Sequence, residues 1–127
     1  IGWKKNTPCY TKIKLNTDIP KKYLNSSARK IKNKRKVKFF KKYIEDSEQL
    51  NVEDNLISAV ITPDQDIIPN SKTYTPAFLI YSNYEKILNW NRSLRFALAV
   101  CTLKDNFKNE IKDNNINIFF NFLRTKL

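Results

Sequence analysis

The sequence predicts an α+β protein in which a small strand-rich part comes first and helices follow. Cys9 to Leu15 alternates between apolar and polar residues, as a half-buried strand does. Two later segments, 55–62 and 77–81, are rich in β-branched, aromatic or other apolar residues and predict buried strands. After Ser82 the apolar spacing changes to that of helices. The strands therefore come first and the two main helices follow, which is an α+β arrangement.

The segment between the first two strands is strongly basic and has little regular pattern. Asp18-Ile19-Pro20 ends the first strand, and residues 21–36 predict mainly loop with a short strand or helical turn. Apolar side chains at helical spacing then predict a short amphipathic helix over 37–47, and 64–75 predicts a polar loop. Because Gly2 is the only glycine, we expect asparagines to take most of the turn positions that need a positive φ.

The first helix of the C-terminal part should begin at a capping box. Ser82 and Glu85 have the spacing at which each side chain binds the other residue's backbone amide. This helix should run to about Asn89, and a second helix should begin after Asn91 or Ser93. The expected apolar stripe of the second helix consists of Phe96, Val100, Leu103 and Phe107.

Three parts of the chain follow from this pattern. Residues 1–81 form the β-rich part, and residues 82–109 form a helical core part. Residues 110–127 are a basic, aromatic C-terminal tail that predicts a third short helix or a loosely docked segment. At 127 residues the whole chain is one domain or a piece of one.

The net charge of +12 is unevenly distributed. Residues 1–44 hold fifteen Lys or Arg and one acid, whereas residues 45–68 hold seven acids and no base. A basic end suits an anionic partner such as nucleic acid, anionic lipid or an anionic wall polymer. A composition skewed toward Lys, Asn and Ile explains the same counts without any partner.

Several kinds of site are excluded or disfavoured. The chain has no histidine, which excludes Ser-His and Cys-His catalysis and histidine-ligated zinc, and we expect no metal and no cofactor. Cys9 and Cys101 have no metal or redox spacing and could pair only with Cα atoms within about 7 Å, so we expect two free or buried thiols. No apolar run approaches the ~20 residues of a membrane span, and Ile1 to Lys5 does not begin a signal peptide.

The polar corner Trp90-Asn91-Arg92-Ser93 can place an aromatic face, an amide and a hydroxyl in one cleft. The surrounding segment, 83–100, fits the pattern N-[FY]-x-x-I-L-x-W-N-x-S-x-x-[YF]-A-x-A-V. It resembles the C-terminal part of family-3 lytic murein transglycosylases, of the membrane-bound lytic transglycosylase B type. Gly2-Trp3, Pro63 and the strand Pro76 to Tyr81 also match elements of that family.

The resemblance implies a partial lysozyme-like fold and a non-hydrolytic reaction on bacterial peptidoglycan. In the family, one glutamic acid protonates the glycosidic oxygen between N-acetylmuramic acid and N-acetylglucosamine. The muramyl C6 hydroxyl then attacks C1 and gives a 1,6-anhydro product, so a second carboxylate is not needed. Peptidoglycan glycan strands are the implied partner, and the periplasm or cell envelope is the implied location.

The resemblance also implies a partial binding site without its acid. Trp90 matches an aromatic position of the sugar groove, Asn91 matches an amide near the catalytic centre, and Phe96 stands where the family usually has tyrosine. Tyr81 is the fourth candidate substrate-binding residue. The family's catalytic glutamate lies in an E-S-x-F-G motif upstream of the Gly-Trp element, and no such motif occurs in this chain. We therefore expect a C-terminal fragment without the proton donor, completed by an upstream polypeptide, and we assign no catalytic residue.

Two other functions stay open. The isolated chain could be a non-catalytic peptidoglycan- or glycan-binding module that uses the Trp90-Asn91 corner. It could also bind nucleic acid, which we rate as the less favoured hypothesis, because Lys30 to Tyr43 interleaves bases with aromatic residues but matches no named module. Each corner residue also has a purely structural interpretation: Trp90, Phe96 and Tyr81 as core, and Asn91 or Ser93 as a helix N-cap.

Overall fold

The computed structural model describes residues 7–63 and 73–106. Four sequence-based predictions lie outside these residues and are not tested. They concern Gly2-Trp3, the larger part of the polar loop from 64 to 72, Phe107 in the apolar stripe, and the tail 110–127.

The described strands form one mixed sheet that is mainly antiparallel. They are β1 Tyr10–Asn16, β2 Leu24–Asn25, β3 Arg35–Lys36, β4 Ile57–Ile61 and β5 Thr73–Ile80. The order across the sheet is β1-β5-β4-β2, with β3 pairing to β4 beside this path. Only the short β2–β4 pair is parallel among the described pairs. The three main strands were predicted, although β5 begins at Thr73, inside the predicted loop, and not at Ala77.

The helices are one short turn and two longer helices. They are α1 Val37–Phe40, α2 Ser82–Trp90 and α3 Leu94–Asn106, and 3₁₀ turns occupy 21–23, 41–43 and 47–49. The helix predicted over 37–47 is therefore too long. Two apolar residues that predicted the helix are nevertheless buried. Phe40 is buried in the helical turn, and Ile44, in extended backbone, is buried beside Leu15 of β1. No helix in the described ranges is long and apolar enough to cross a membrane.

Both faces of the sheet are covered, so the fold has three layers. On one face, α2 and α3 pack on Ala59, Ile61 and Ile80. On the other face, α1 and its flanking turns pack on Val60 and Leu79. Neighbouring residues of β4 and β5 thus point into different cores, as the alternation of a strand requires. This explains why residues 58–61 of β4 are buried without interruption. The α+β prediction, with strands before the C-terminal helices, is confirmed.

The start of α2 differs from the predicted capping box. The residue before the helix is Tyr81, whose carbonyl accepts a hydrogen bond from the Glu85 amide at 3.3 Å. The Ser82 hydroxyl is buried and has no hydrogen-bond partner among residues 7–63 and 73–106. The Glu85 carboxylate instead pairs with Lys34 at 2.7 Å. The prediction was wrong because a cation distant in sequence competes for this carboxylate.

The buried stripe of α3 also differs from the predicted one. The buried residues are Leu94, Ala97, Val100 and Cys101. Phe96 is only half-buried, and Leu103 is 36% exposed. Of the three described members of the predicted stripe, only Val100 is fully buried, because the helix is rotated so that Ala97 and Cys101 are buried as well.

The prediction of two unpaired thiols is wrong, since Cys9 and Cys101 form a disulfide with their Cα atoms 5.9 Å apart. Cys9 lies just before β1 and packs with the α2–α3 side, unlike Ile13 and Leu15 of the same predicted strand face. The bond joins the start of the sheet to α3, across 92 residues of sequence. In the described part, positive φ occurs at Asn33 (59°), as expected for asparagine, and at Asp46 (55°). Aspartate adopts this region more readily than most residues for the same reason as asparagine.

Candidate functional site

The predicted corner is a tight connection between α2 and α3. Trp90 is the last residue of α2, and Asn91 leaves the helix in extended backbone with its amide bonded to the Ile87 carbonyl at 3.0 Å. The Ser93 amide then donates to the Asn91 carbonyl at 2.8 Å. The Ser93 hydroxyl accepts from the Phe96 amide at 3.1 Å, which caps α3. The corner is thus a compact turn that fixes the direction of each side chain.

An aromatic pair stands at this corner. The ring centroids of Trp90 and Phe96 are 5.8 Å apart, and the ring planes are inclined by 40°. Both side chains are half-buried and pack on the α2–α3 core. Each therefore keeps part of its ring accessible while the rest is held by the core. Such a wall suits the apolar face of a ring-shaped ligand, since apolar contact combined with a few polar groups is typical of small-ligand sites.

Asn91 follows Trp90 directly and supplies a polar side chain at the same turn. Its side chain is half-buried, and within the described part of the chain it makes no hydrogen bond. A side-chain amide carries both a donor and an acceptor. Asn91 is not the N-cap of α3, because that function belongs to Ser93. Its amide group can therefore serve a ligand that offers a complementary amide.

Tyr84 holds the two helices of the corner together. Its ring is fully buried, and its hydroxyl donates to the Leu94 carbonyl at 2.8 Å, at the first residue of α3. Burial raises the pKa of the Tyr84 hydroxyl well above its usual value, because the phenolate would lose its hydration. The hydroxyl thus stays a donor, and the orientation of α3 relative to α2 is fixed.

Tyr81, the fourth predicted residue, lies apart from the other three. It belongs to the core on the opposite face of the sheet and is 1% exposed. Its hydroxyl is 2.7 Å from the Thr11 hydroxyl of β1. Burial raises its pKa, and the hydrogen bond to Thr11 offsets part of that effect. The structure therefore brings Trp90, Asn91 and Phe96 together and places Tyr81 as a buried support of the sheet.

The arginine of the corner has a structural contact. The Arg92 guanidinium donates to the Ala28 carbonyl at 3.3 Å and so links the corner to the basic segment. A small cavity of about 220 Å³ lies along this link, lined in part by Arg29, Glu85 and Asn89. The lining of this cavity carries charges of both signs.

A larger cavity of about 700 Å³ lies elsewhere, at the outer edge of β1. It is lined by residues 11–14 of β1, by residues of the 44–51 segment, and by Thr75 and Pro76. None of the four predicted residues lines it. Among the described residues, no group of three or more Cys, Asp or Glu side chains is arranged to hold a metal ion.

Sequence reasoning missed the residues that hold the corner in place. No local pattern indicates that the Tyr84 hydroxyl bonds to the first residue of α3. The Cys9–Cys101 bond was not expected, although it ties α3 to the sheet. No local signal indicates either contact, because each joins residues whose proximity depends on the finished fold.

Comparisons with known proteins concern the family and the fold of this chain. The model of the "Transglycosylase SLT domain" family matches residues 1–105, which is most of the chain. No match to a curated protein sequence was found. Among solved structures, the chain is similar to SltB3 from Pseudomonas aeruginosa, determined in complex with NAG-NAM-pentapeptide, with a TM-score of 0.63 and 20% identity.

The extent of the structural likeness is uneven. It covers 84% of this chain but 26% of the SltB3 chain, so this chain spans about a quarter of that protein's length. At this identity the likeness concerns the fold, and it confirms the lysozyme-like architecture expected from the sequence. Since the family model matches well over half of the sequence, the chain is a member of the transglycosylase SLT domain family.

Proposed function

We propose that this chain is the part of a peptidoglycan lytic transglycosylase that forms one wall of its glycan cleft, within the membrane-bound transglycosylase B type. The observation that carries the proposal is the corner, where Trp90, Phe96 and Asn91 combine a tilted aromatic pair with an amide. The family match and the NAG-NAM-pentapeptide bound by SltB3 support a glycan of this kind as the ligand.

Each corner residue has a distinct task in this proposal. Trp90 and Phe96 contact the apolar faces of the sugar rings, and water is excluded between the rings and the sugar. Asn91 binds the N-acetyl group, because an amide side chain can donate to its carbonyl and accept from its N–H. Tyr81 is too buried to touch a sugar and would act by holding Thr11 and the sheet beneath the cleft.

The proton donor of the reaction is assigned to a segment that this chain does not contain. The reaction needs a carboxylic acid that protonates the leaving glycosidic oxygen while the C1–O bond breaks. The muramyl C6 oxygen then bonds to C1, and its proton returns to the carboxylate. The Glu85 carboxylate forms an ion pair with Lys34, and no glutamate of the sequence is followed by S-x-F-G. This chain would therefore bind and orient the glycan, and it would not transfer the proton.

The disulfide supports a location in the cell envelope. Disulfides persist in the periplasm and outside the cell, where thiols are oxidised, and are rare in the cytosol. A bond between Cys9 and Cys101 is therefore consistent with a protein that meets peptidoglycan.

The test is to compare the chain alone with the chain joined to a relative's segment that carries the E-S-x-F-G motif. Products released from purified sacculi are identified by mass spectrometry. We expect 1,6-anhydromuramyl products only from the joined protein, and their loss when the supplied glutamate is changed to glutamine. In the joined protein, Trp90→Ala should lower kcat/KM about tenfold or more, whereas Tyr43→Ala, a half-buried aromatic outside the corner, should change it less than about twofold. Anhydro products from the chain alone, or equal effects of the two variants, would overturn the proposal.

A further inference from the structure

The basic segment 21–42 carries more positive charge than the fold neutralises. It holds eleven Lys or Arg and no acid, and ten of the eleven are exposed. Within the described residues, only two of them pair with a carboxylate, in the pairs Lys34–Glu85 and Lys41–Asp54. The other nine face solvent without a counter-charge from residues 7–63 or 73–106.

Three of these cations are placed on a row of aromatic rings, which we call the cationic ridge. The ridge consists of Lys22, Arg35 and Lys42 over the rings of Tyr23, Phe39 and Tyr43. Lys22 and Arg35 lie 5.3 and 5.5 Å from the centroid of the Tyr23 ring. Arg35 and Lys42 lie 5.8 and 4.6 Å from that of Phe39, and Lys42 is 5.2 Å from that of Tyr43.

The ridge is held by the fold and is not a chance arrangement of surface side chains. The rings of Tyr23 and Phe39 pack on each other at 5.3 Å, and Phe39 contacts Tyr43 at 6.2 Å. Arg35 belongs to β3, where its carbonyl accepts from the Ser58 hydroxyl at 3.0 Å. Its guanidinium also donates to the Lys34 carbonyl at 2.7 Å. The middle cation of the ridge is therefore fixed at both its backbone and its side chain.

A buried asparagine fixes the rest of the basic segment. The Asn25 amide donates to the Val60 carbonyl of β4 at 2.8 Å, and its oxygen accepts from the Lys32 amide at 2.8 Å. The loop between β2 and β3 is thus attached to Asn25 of β2 at Lys32, near its C-terminal end. The basic side chains on both sides of this attachment are presented by an ordered backbone.

The three cations lie close together and repel one another, and a bound anion would offset this repulsion. Each cation–ring contact is worth only about 0.5–1 kcal/mol at an exposed site. No carboxylate of the described residues lies within ion-pair distance of the three cations. Arg35 presents a planar fork that binds phosphate with two hydrogen bonds, and lysines add point charges on either side. The arrangement therefore matches a row of phosphate groups.

We propose that the cationic ridge binds the phosphodiester backbone of an anionic polymer outside the cytosol. The disulfide of Cys9 and Cys101 supports an oxidising compartment for the protein, which favours a polymer other than nucleic acid. The rings of the ridge are buried or half-buried beneath the cations, so they are not available to insert into a lipid bilayer.

The ridge lies on the face of the sheet opposite to the Trp90–Phe96 corner. Binding there would hold the domain on a phosphate-bearing polymer while leaving the corner accessible. The inference does not depend on the glycan proposal, because it uses different residues and a different ligand.

The test is a binding titration with poly(glycerol phosphate), a phosphodiester polymer without bases, over a range of salt concentrations. The triple variant Lys22→Gln, Arg35→Gln, Lys42→Gln is compared with the control Lys12→Gln, Lys14→Gln, Lys86→Gln, which removes three exposed lysines away from the ridge. We expect the ridge variant to lose at least about tenfold in affinity at 0.1 M salt and the control about two- to threefold. The slope of log affinity against log salt is negative, and its magnitude should be smaller by about 2 in the ridge variant, because three phosphate contacts are lost.

A second variant keeps the charge and changes a ring. Phe39→Leu should weaken binding severalfold with little change in the salt slope, because the cations remain but are less well positioned. Circular dichroism checks that each variant is folded.

Equal losses in the ridge variant and its control would overturn the proposal. Equal affinity for polyglutamate of the same charge would overturn it too, since phosphate would then not be recognised. Tighter binding to single-stranded DNA would favour nucleic acid, and binding only to phosphatidylglycerol vesicles would favour a membrane; either result contradicts the proposal.

Discussion

Removal of the Cys9–Cys101 disulfide should strongly destabilise the fold. The bond joins residues 92 positions apart. In the chain-entropy description, closing a loop of that length lowers the entropy of the unfolded chain by about 16 cal/mol/K, which is about 4–5 kcal/mol at 25 °C. Measured effects for native disulfides are typically about 2–5 kcal/mol. A domain of this size has a total stability of about 5–15 kcal/mol, so the loss is a large share of it.

The assay is urea unfolding of the wild type and of Cys9→Ala/Cys101→Ala, followed by circular dichroism. With a slope of about 1–2 kcal/mol per molar urea, a loss of about 4–5 kcal/mol should lower the midpoint by roughly 2–5 M. Reduced wild type is the control, because it differs from the oxidised protein only in the disulfide. It should unfold near the midpoint of the double variant, since both lack the bond. A midpoint change below about 0.3 M, or two titratable thiols in the unreduced denatured protein, would refute the reasoning.

Three further predictions concern the helices of the corner and the buried tyrosines. Ser82→Ala should leave stability unchanged or raise it by up to about 1 kcal/mol, because the buried hydroxyl has no partner in the part of the chain that the structure describes. A loss of about 1 kcal/mol in thermal unfolding would instead support the capping box. Tyr84→Phe should lower the free energy of unfolding by about 1–1.5 kcal/mol, because it removes the buried hydrogen bond to the Leu94 carbonyl. The control Tyr10→Phe loses an exposed hydrogen bond to Thr102 and should cost less than about 0.5 kcal/mol. Equal costs would contradict the role of Tyr84. Because burial raises the folded-state pKa of Tyr81 and Tyr84, their contribution to stability should be complete below about pH 10 and should fall at higher pH, where the unfolded tyrosines ionise first. Melting temperatures measured from pH 8 to 11 check this, and Tyr84→Phe should make the decline shallower.

The elements predicted well are those determined by local pattern. Alternation located β1, the β-rich run located β4, and the change of period near Tyr81 located the start of the helices. The corner was also predictable, because Ser93 caps α3 as its residue type suggests. Here local propensity and the tertiary structure favour the same conformation.

The elements predicted poorly are those decided by distant partners. Glu85 was expected to cap its own helix, but Lys34 lies 51 positions away and pairs with it. The buried face of α3 depends on how the helix meets the sheet, which brings Cys101 to Cys9 and turns Leu103 outward. Tyr81 was named as a candidate substrate-binding residue with core as its structural alternative, and the alternation that continues from β5 directs its ring into the opposite core.

The central claim, that the corner binds peptidoglycan glycan, is tested most directly by titrating the chain with a GlcNAc-MurNAc tetrasaccharide. Binding is followed by the NMR signal of the Trp90 indole N–H, assigned with Trp90→Phe. We predict a saturable shift of this signal that is weakened at least about tenfold by Asn91→Ala and is unchanged by Tyr43→Ala. No shift of the Trp90 signal, or equal weakening by both variants, would contradict the account.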